Sequence, residues 1–146
     1  MPDDRHDRWM SIWLDFIRTH SRLWDEVEVQ MRKEYGLTMA RYDVLATLMS
    51  AGGRMGLSDL AASTVLSPSG ISKLLDRMEH SGLVRREPDP TDARSTFASI
   101  TPRGLALVKR ARVGHHDFLQ RMFGDKLDDS DLADLARIMG RISGRH

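Results

Sequence analysis

One short segment constrains what the chain can fold into: Ser67 to Gly82. It reads as a helix with both ends marked. The Ser67 hydroxyl can cap the first free amides. Pro68 suits the first helical position, where a missing N–H costs nothing. Gly82 stands where a left-handed residue stops a helix. At about 100° per residue, Ile71, Leu74, Leu75 and Met78 share one arc and must face a core. The opposite arc carries Ser69, Ser72, Lys73, Asp76 and His80, with Gly70 and Arg77 at its margins. A helix with small hydroxyls and cations near its start can enter a major groove and reach base edges and phosphates. The same composition also describes an ordinary solvated face, so its neighbours must decide.

Before this segment, Thr38 can cap a helix over about 39–50, with Tyr42, Leu45, Leu48 and Met49 inward. Ser58 can cap a short helix with Leu60, Ala61 and Val65 inward. Two short helices joined by a turn, the second with a polar face, form the helix-turn-helix pattern. After Gly82, Leu83–Arg86 reads as a strand, and Ser95–Ile100 alternates as a half-buried strand does. Glu87 to Ala93 between them is turn chemistry. The hairpin sits where a wing would.

The flanks are different. From Trp9 to Met31, apolar residues recur at helical spacing, predicting a long helix over about 8–34 that holds all three tryptophans. Thr101-Pro102 opens a helix to about 122, with Leu105, Val108, Arg112, His115, Leu119 and Met122 on one stripe. A last amphipathic helix carries Leu132, Leu135, Ile138, Met139 and Ile142. Such apolar faces need a partner, and a second copy of the chain is the simplest one.

Composition bounds the rest. At 146 residues the chain is a single domain. It has no cysteine, which excludes disulfides and thiolate metal sites and fits a cytoplasmic setting. No apolar run reaches membrane-spanning length, and no signal peptide opens the chain. No phosphate loop, nucleophile motif or paired carboxylates point to an enzyme, and no cofactor is implied. The six histidines show no metal-ligand spacing; His20 and His115 are expected to be satisfied interior groups. The net charge of +1 does not announce a polyanionic partner. Between Ser67 and Arg94, five cations balance five acids, so any binding to DNA must rest on oriented contacts.

Three stretches together resemble the MarR family of winged helix-turn-helix transcription regulators. These are Leu37-Thr38 with Leu57-Ser58-Asp59-Leu60-Ala61, the run Leu66 to Arg86, and Asp89-Pro90-Thr91-Asp92-Ala93-Arg94 followed by Ile100-Thr101-Pro102-Arg103-Gly104. The resemblance implies a mainly α fold with a small β-hairpin wing. It implies a reading lobe over about 37–101 and dimerisation helices over about 8–34 and 102–146. It further implies a homodimer on a pseudo-palindromic operator in double-stranded DNA, a repressor released by a small aromatic or phenolic ligand. By the same resemblance Arg94 enters a minor groove, and Asp92 steadies the wing through an ion pair with an arginine such as Arg86. A second arginine common in the family is replaced by Ala93. The expected DNA-contacting residues are Ser67, Ser69, Gly70, Ser72, Lys73, Arg77 and Arg94. Ser67 has capping as an alternative role, and Gly70 either permits close approach or is a tolerated glycine. The competing reading is a winged-helix protein-interaction module without DNA binding, which would show exposed apolar groups on the helix and wing tip.

Overall fold

The computed structural model describes residues 4–64 and 68–144. The chain runs α1 (Asp4–Tyr35), α2 (Met39–Ser50), β1 (Arg54–Gly56), α3 (Leu57–Ala62), α4 (Pro68–His80), β2 (Val84–Pro88), β3 (Thr96–Ile100), α5 (Pro102–Met122) and α6 (Asp129–Ser143). A single turn of 3-10 helix, Gly124–Lys126, joins the last two. None of these helices is long and apolar enough to cross a membrane.

Local chemistry explains most boundaries. Thr38 accepts from Arg41 N and starts α2; Thr101 accepts from Gly104 N and starts α5, with Pro102 next to it. Asp128 and Asp131 form a reciprocal capping box at α6. Gly82 takes φ +72 and turns the chain from α4 into the wing. The expected Ser67 cap lies outside the described residues.

Two expectations fail near β1. Residues 54–56 form a third strand, pairing antiparallel with β3 from Arg54↔Ser99 to Gly56↔Phe97. The sheet order is β1-β3-β2. Because the chain leaves the sheet directly into α3, Gly56 and not Ser58 occupies the cap position, and Ser58 falls inside the first turn. The first helix also begins earlier than expected, at Asp4.

The core lies under α4 and the sheet. Val27 and Met31 of α1, Val44, Leu45 and Leu48 of α2, Leu60 of α3, Ile71, Leu75 and Met78 of α4, and Val108 and Ala111 of α5 are buried together. Leu74 is half-buried at the edge. Val44 escaped the sequence pattern because α2 is enclosed on several sides, by α1, α3, α5 and the sheet. Arg112, placed by spacing on the α5 stripe, is exposed, since the inward arc centres on Gly104, Val108 and Ala111. From Asp7 to Arg22 the residues of α1 are exposed. Trp9, Ile12, Trp13, Phe16 and Ile17 stand in the open, as do Leu132, Ile138 and Ile142 of α6.

Candidate nucleic-acid interface

Helix α4 presents a continuous polar side. Ser69, Ser72, Lys73, Asp76, Arg77 and His80 are exposed, and Gly70 is half-buried. Ile71 and Met78 anchor the other side. After Gly82, β2 returns beside the last turns of α4, so the wing and the helix share one surface. The hairpin register runs from Val84↔Ile100 to Pro88↔Thr96.

The wing tip is held by its own acids. Asp89 accepts from the Thr91 amide at 2.8 Å and the Thr91 hydroxyl at 2.7 Å. That hydroxyl bond is the main reason the Asp89 carboxyl sits below the usual carboxylate range, with the amide bond next. Asp92 accepts from Arg94 N at 2.9 Å and Ser95 Oγ at 3.2 Å. These two Asx turns fix the loop and leave Arg94 exposed at its end. At the base, the Arg54 guanidinium lies 4.1 Å over the Phe97 ring.

The expected Asp92–Arg86 pair is absent. Arg86 instead reaches α4. Its backbone N donates to Glu79 Oε2 at 2.8 Å, and its guanidinium contacts Glu79 Oε1 at 3.4 Å and Asp76 Oδ1. The reason is topological: β2 runs back along α4, whereas Asp92 sits in the wing loop, where its carboxylate is taken by the Arg94 amide and the Ser95 hydroxyl. The signal was present in the sequence as two acids at i and i+3 on the helix preceding a tight turn. Arg86 thus locks wing to helix, and Asp92 steadies the wing by another route.

These bonds leave the formal charge balance as it is and decide which charged side chains keep no partner within the protein. Asp76 and Glu79 share the one cation of Arg86, and Asp89 and Asp92 accept bonds from amides and hydroxyls of the wing loop while keeping their charge. Among the described residues, the side chains of Lys73, Arg77, Arg85 and Arg94 have no protein partner, against Glu87 alone on the acidic side. Arg85, exposed on β2, was not singled out by the sequence pattern.

The sequence model of the MarR family matches residues 35–95, spanning α2 through the wing tip. AbsC from Streptomyces coelicolor, a MarR family transcriptional regulator, superposes with a TM-score of 0.85 at 33% identity, over 92% of this chain and 91% of that one. The chain belongs to the MarR family. Like its relatives, this MarR-family protein is a transcriptional regulator of winged-helix fold and not an enzyme. Sco3205 from the same organism, solved in complex with DNA, has a TM-score of 0.86 at 27% identity over 92% of this chain and 84% of that one. The transcriptional repressor IacR of Pseudomonas putida is 31% identical over 76% of this chain, which spans 64% of that protein's length.

A second feature lies away from the reading surface. A cavity of about 290 Å³ opens between α1, α2 and α5, with Trp24, Met39 and Leu119 among its walls. His115 borders it. Contrary to expectation, this histidine is not satisfied: its Nδ1 is buried without a partner. Burial, aided by His116, pushes its pKa down. Its ring lies 5.0 Å from that of Tyr42. His20 is not interior at all; it is exposed and stacks on Trp24 at 6.2 Å.

Proposed function

We propose that this regulator binds a pseudo-palindromic operator as a homodimer, with α4 in the major groove and Arg94 in the adjoining minor groove. Ser69, Gly70, Ser72, Lys73 and Arg77 form the reading side of α4, and Ser67 precedes it. Arg86 and Asp92 keep the wing in place. The observation that carries this reading is the internal use of the acids. It leaves Lys73, Arg77 and Arg94 exposed with no protein partner for their side chains, where phosphates and groove edges reward them.

The chain divides by function into a reading lobe over 37–101 and pairing helices over 8–34 and 102–146. The apolar side of α1 and α6 supports the second copy: Ile12 is 61% exposed and Ile142 73% exposed, too much apolar surface to leave in water. The output is repression, as the Pseudomonas putida relative is named a repressor. Release follows when a small aromatic molecule fills the cavity between α1, α2 and α5. The protein acts in the cytoplasm, where its operator is.

The alternative, a protein-interaction module, calls for apolar groups on α4 or the wing tip. Among the described residues the exposed large apolar side chains lie on α1, α5 and α6 and beside α5, none on α4 or the wing. Footprinting upstream of the protein's own gene identifies the operator. On that DNA, Arg94→Ala is expected to weaken binding by about 1–3 kcal/mol while leaving the dimer intact. Unchanged affinity by fluorescence anisotropy refutes the wing assignment.

A further inference from the structure

On one face of the sheet the wing is fastened to α4 by Arg86. Strand alternation puts Arg54 on the opposite face. Arg86 stands across from Ala98 and Arg54 across from Ser99, and successive residues of a strand point to opposite sides. From its place beside Ser99 the Arg54 side chain runs diagonally toward the wing tip. Its guanidinium lies 4.1 Å over the ring of Phe97, two residues nearer the tip. The ladder ends just beyond, at Pro88↔Thr96, and Asp89 follows. The charge of Arg54 reaches that far. After the Thr91 hydroxyl, the Thr91 amide and the Asp92 backbone, it is a further influence holding the Asp89 carboxyl low.

The loop beyond the ladder needs a hold on this face. The bonds to the Asp89 and Asp92 carboxylates all come from residues 91–95, so they fix the loop's own shape and not its angle to the lobe. Strand β1 stops at Gly56, opposite Phe97, so the loop has no third strand beside it. A cleft of about 420 Å³ opens there, lined by Ser58 and Asp59 of α3 and by Asp89 and Arg94 of the wing. The Arg54–Phe97 stack stands at the root of this overhang. Its anchor is firm. Gly53 O accepts from Ile100 N at 2.8 Å, and Gly56 leads straight into α3, whose Leu60 is buried in the core.

We propose that Arg54 is a positioning residue for DNA binding: stacked on Phe97 at the root of the wing loop, it sets the angle of that loop, and so the place of Arg94, without touching the operator. The DNA half of the inference rests on the assignment of Arg94 to the minor groove. The other half is read on the protein alone, so the two fail separately.

The test compares Arg54→Met, which keeps an unbranched stem over the ring but no cation, with Arg54→Lys, which keeps a cation. In the free protein, amide hydrogen exchange read by NMR is expected to quicken about two- to fivefold at Thr91, Arg94 and Ser95 in Arg54→Met, the scale of one exposed cation–π contact. Arg54→Lys is expected to recover most of that protection. The Ile100 amide is expected to keep its protection in both, because β1 is held there by its backbone. Arg85→Ala removes a cation from the same face but none from the ring, and is expected to leave the loop amides unchanged. On the footprinted operator, Arg54→Met is expected to weaken binding by a similar factor. In the Arg94→Ala protein it is expected to add no further loss and no change in the salt dependence of affinity, as for two residues acting through one contact. Unchanged loop exchange in Arg54→Met, or equal loosening at Ile100, overturns the proposal on the free protein. Additive losses with a shallower salt slope make Arg54 a phosphate contact and overturn it on DNA. Full affinity in Arg94→Ala refutes the wing assignment and takes only the DNA half with it, while the exchange result still decides the other.

Discussion

Gly104→Ala tests how the reading lobe is fastened to α5. A Cβ at this position would stand 2.2 Å from the Leu83 carbonyl oxygen and 3.1 Å from Ile100 Cγ1. That carbonyl is occupied: it accepts the Thr101 N–H at 3.1 Å. The Thr101 hydroxyl in turn donates to Gly82 O at 2.7 Å and accepts from Gly104 N at 3.0 Å. The first turn of α5 therefore rests directly on the junction of α4 and β2, and only a hydrogen fits between. Intrinsic preference points the other way, since alanine favours a helix over glycine by about 1 kcal/mol. Against that, crowding into a packed site costs about 1–3 kcal/mol, and loosening the Thr101–Leu83 bond costs about 1 kcal/mol more. The clash dominates. The variant is expected to lose about 1–3 kcal/mol in urea unfolding at an unchanged m-value, and about 4 °C in Tm for each kcal/mol. A Gly104→Ala protein as stable as the parent, or more so, refutes the reasoning, because propensity alone would then govern this turn.

Arg86→Met is expected to change stability by less than about 1 kcal/mol, because its partners Asp76 and Glu79 are largely solvated. Operator affinity is expected to fall about tenfold as two carboxylates lose their shared cation beside the phosphates, with partial recovery on adding Asp76→Asn; anisotropy on the footprinted site reads both. For His115, burial depresses the pKa in the folded state. The unfolded chain therefore binds more protons as pH falls through about 6.5, so stability is flat above that value and declines below it. His115→Leu is expected to flatten that decline in urea titrations, and an unaltered slope contradicts it. Ile12→Glu, on the open side of α1, is expected to give a monomer by light scattering without loss of helical signal; a parent protein that is already monomeric at micromolar concentration removes the basis for the dimer.

The order of elements was legible because it depends on local chemistry. Thr38, Thr101 and Gly82 act on the few residues beside them, and each falls where spacing and cap type placed it. Strand β1 was not legible. Arg54-Met55-Gly56 is too short to carry an alternation, and it becomes a strand only because β3 lies alongside. The polar side of α4 could be read from its periodicity, whereas Arg94 was singled out only by the family resemblance. For Arg86 the sequence offered Asp76 and Glu79 three apart on α4 as well as Asp92, and only the path of β2 back along α4 chooses between them. The same holds for His115: periodicity puts it on the inward stripe, but whether a partner meets it depends on α2 and Tyr42.

Helix α1 is one unbroken rod of 32 residues, about 48 Å long at the usual rise. Its last turns are embedded under the recognition element through Val27 and Met31, and Glu28 reaches across to hold the first amide of α2 at 2.8 Å. Its opposite end projects clear of the lobe. Such a rod acts as a lever with its fulcrum in the reading lobe. A tilt of about 5° displaces the far end by about 4 Å over that length. If the far ends are clasped by a second copy, the same tilt is transmitted in reverse, to two reading lobes that must stay one helical turn of DNA apart. Small changes in angle at the cavity wall are thus magnified into a mismatch with the spacing of the grooves.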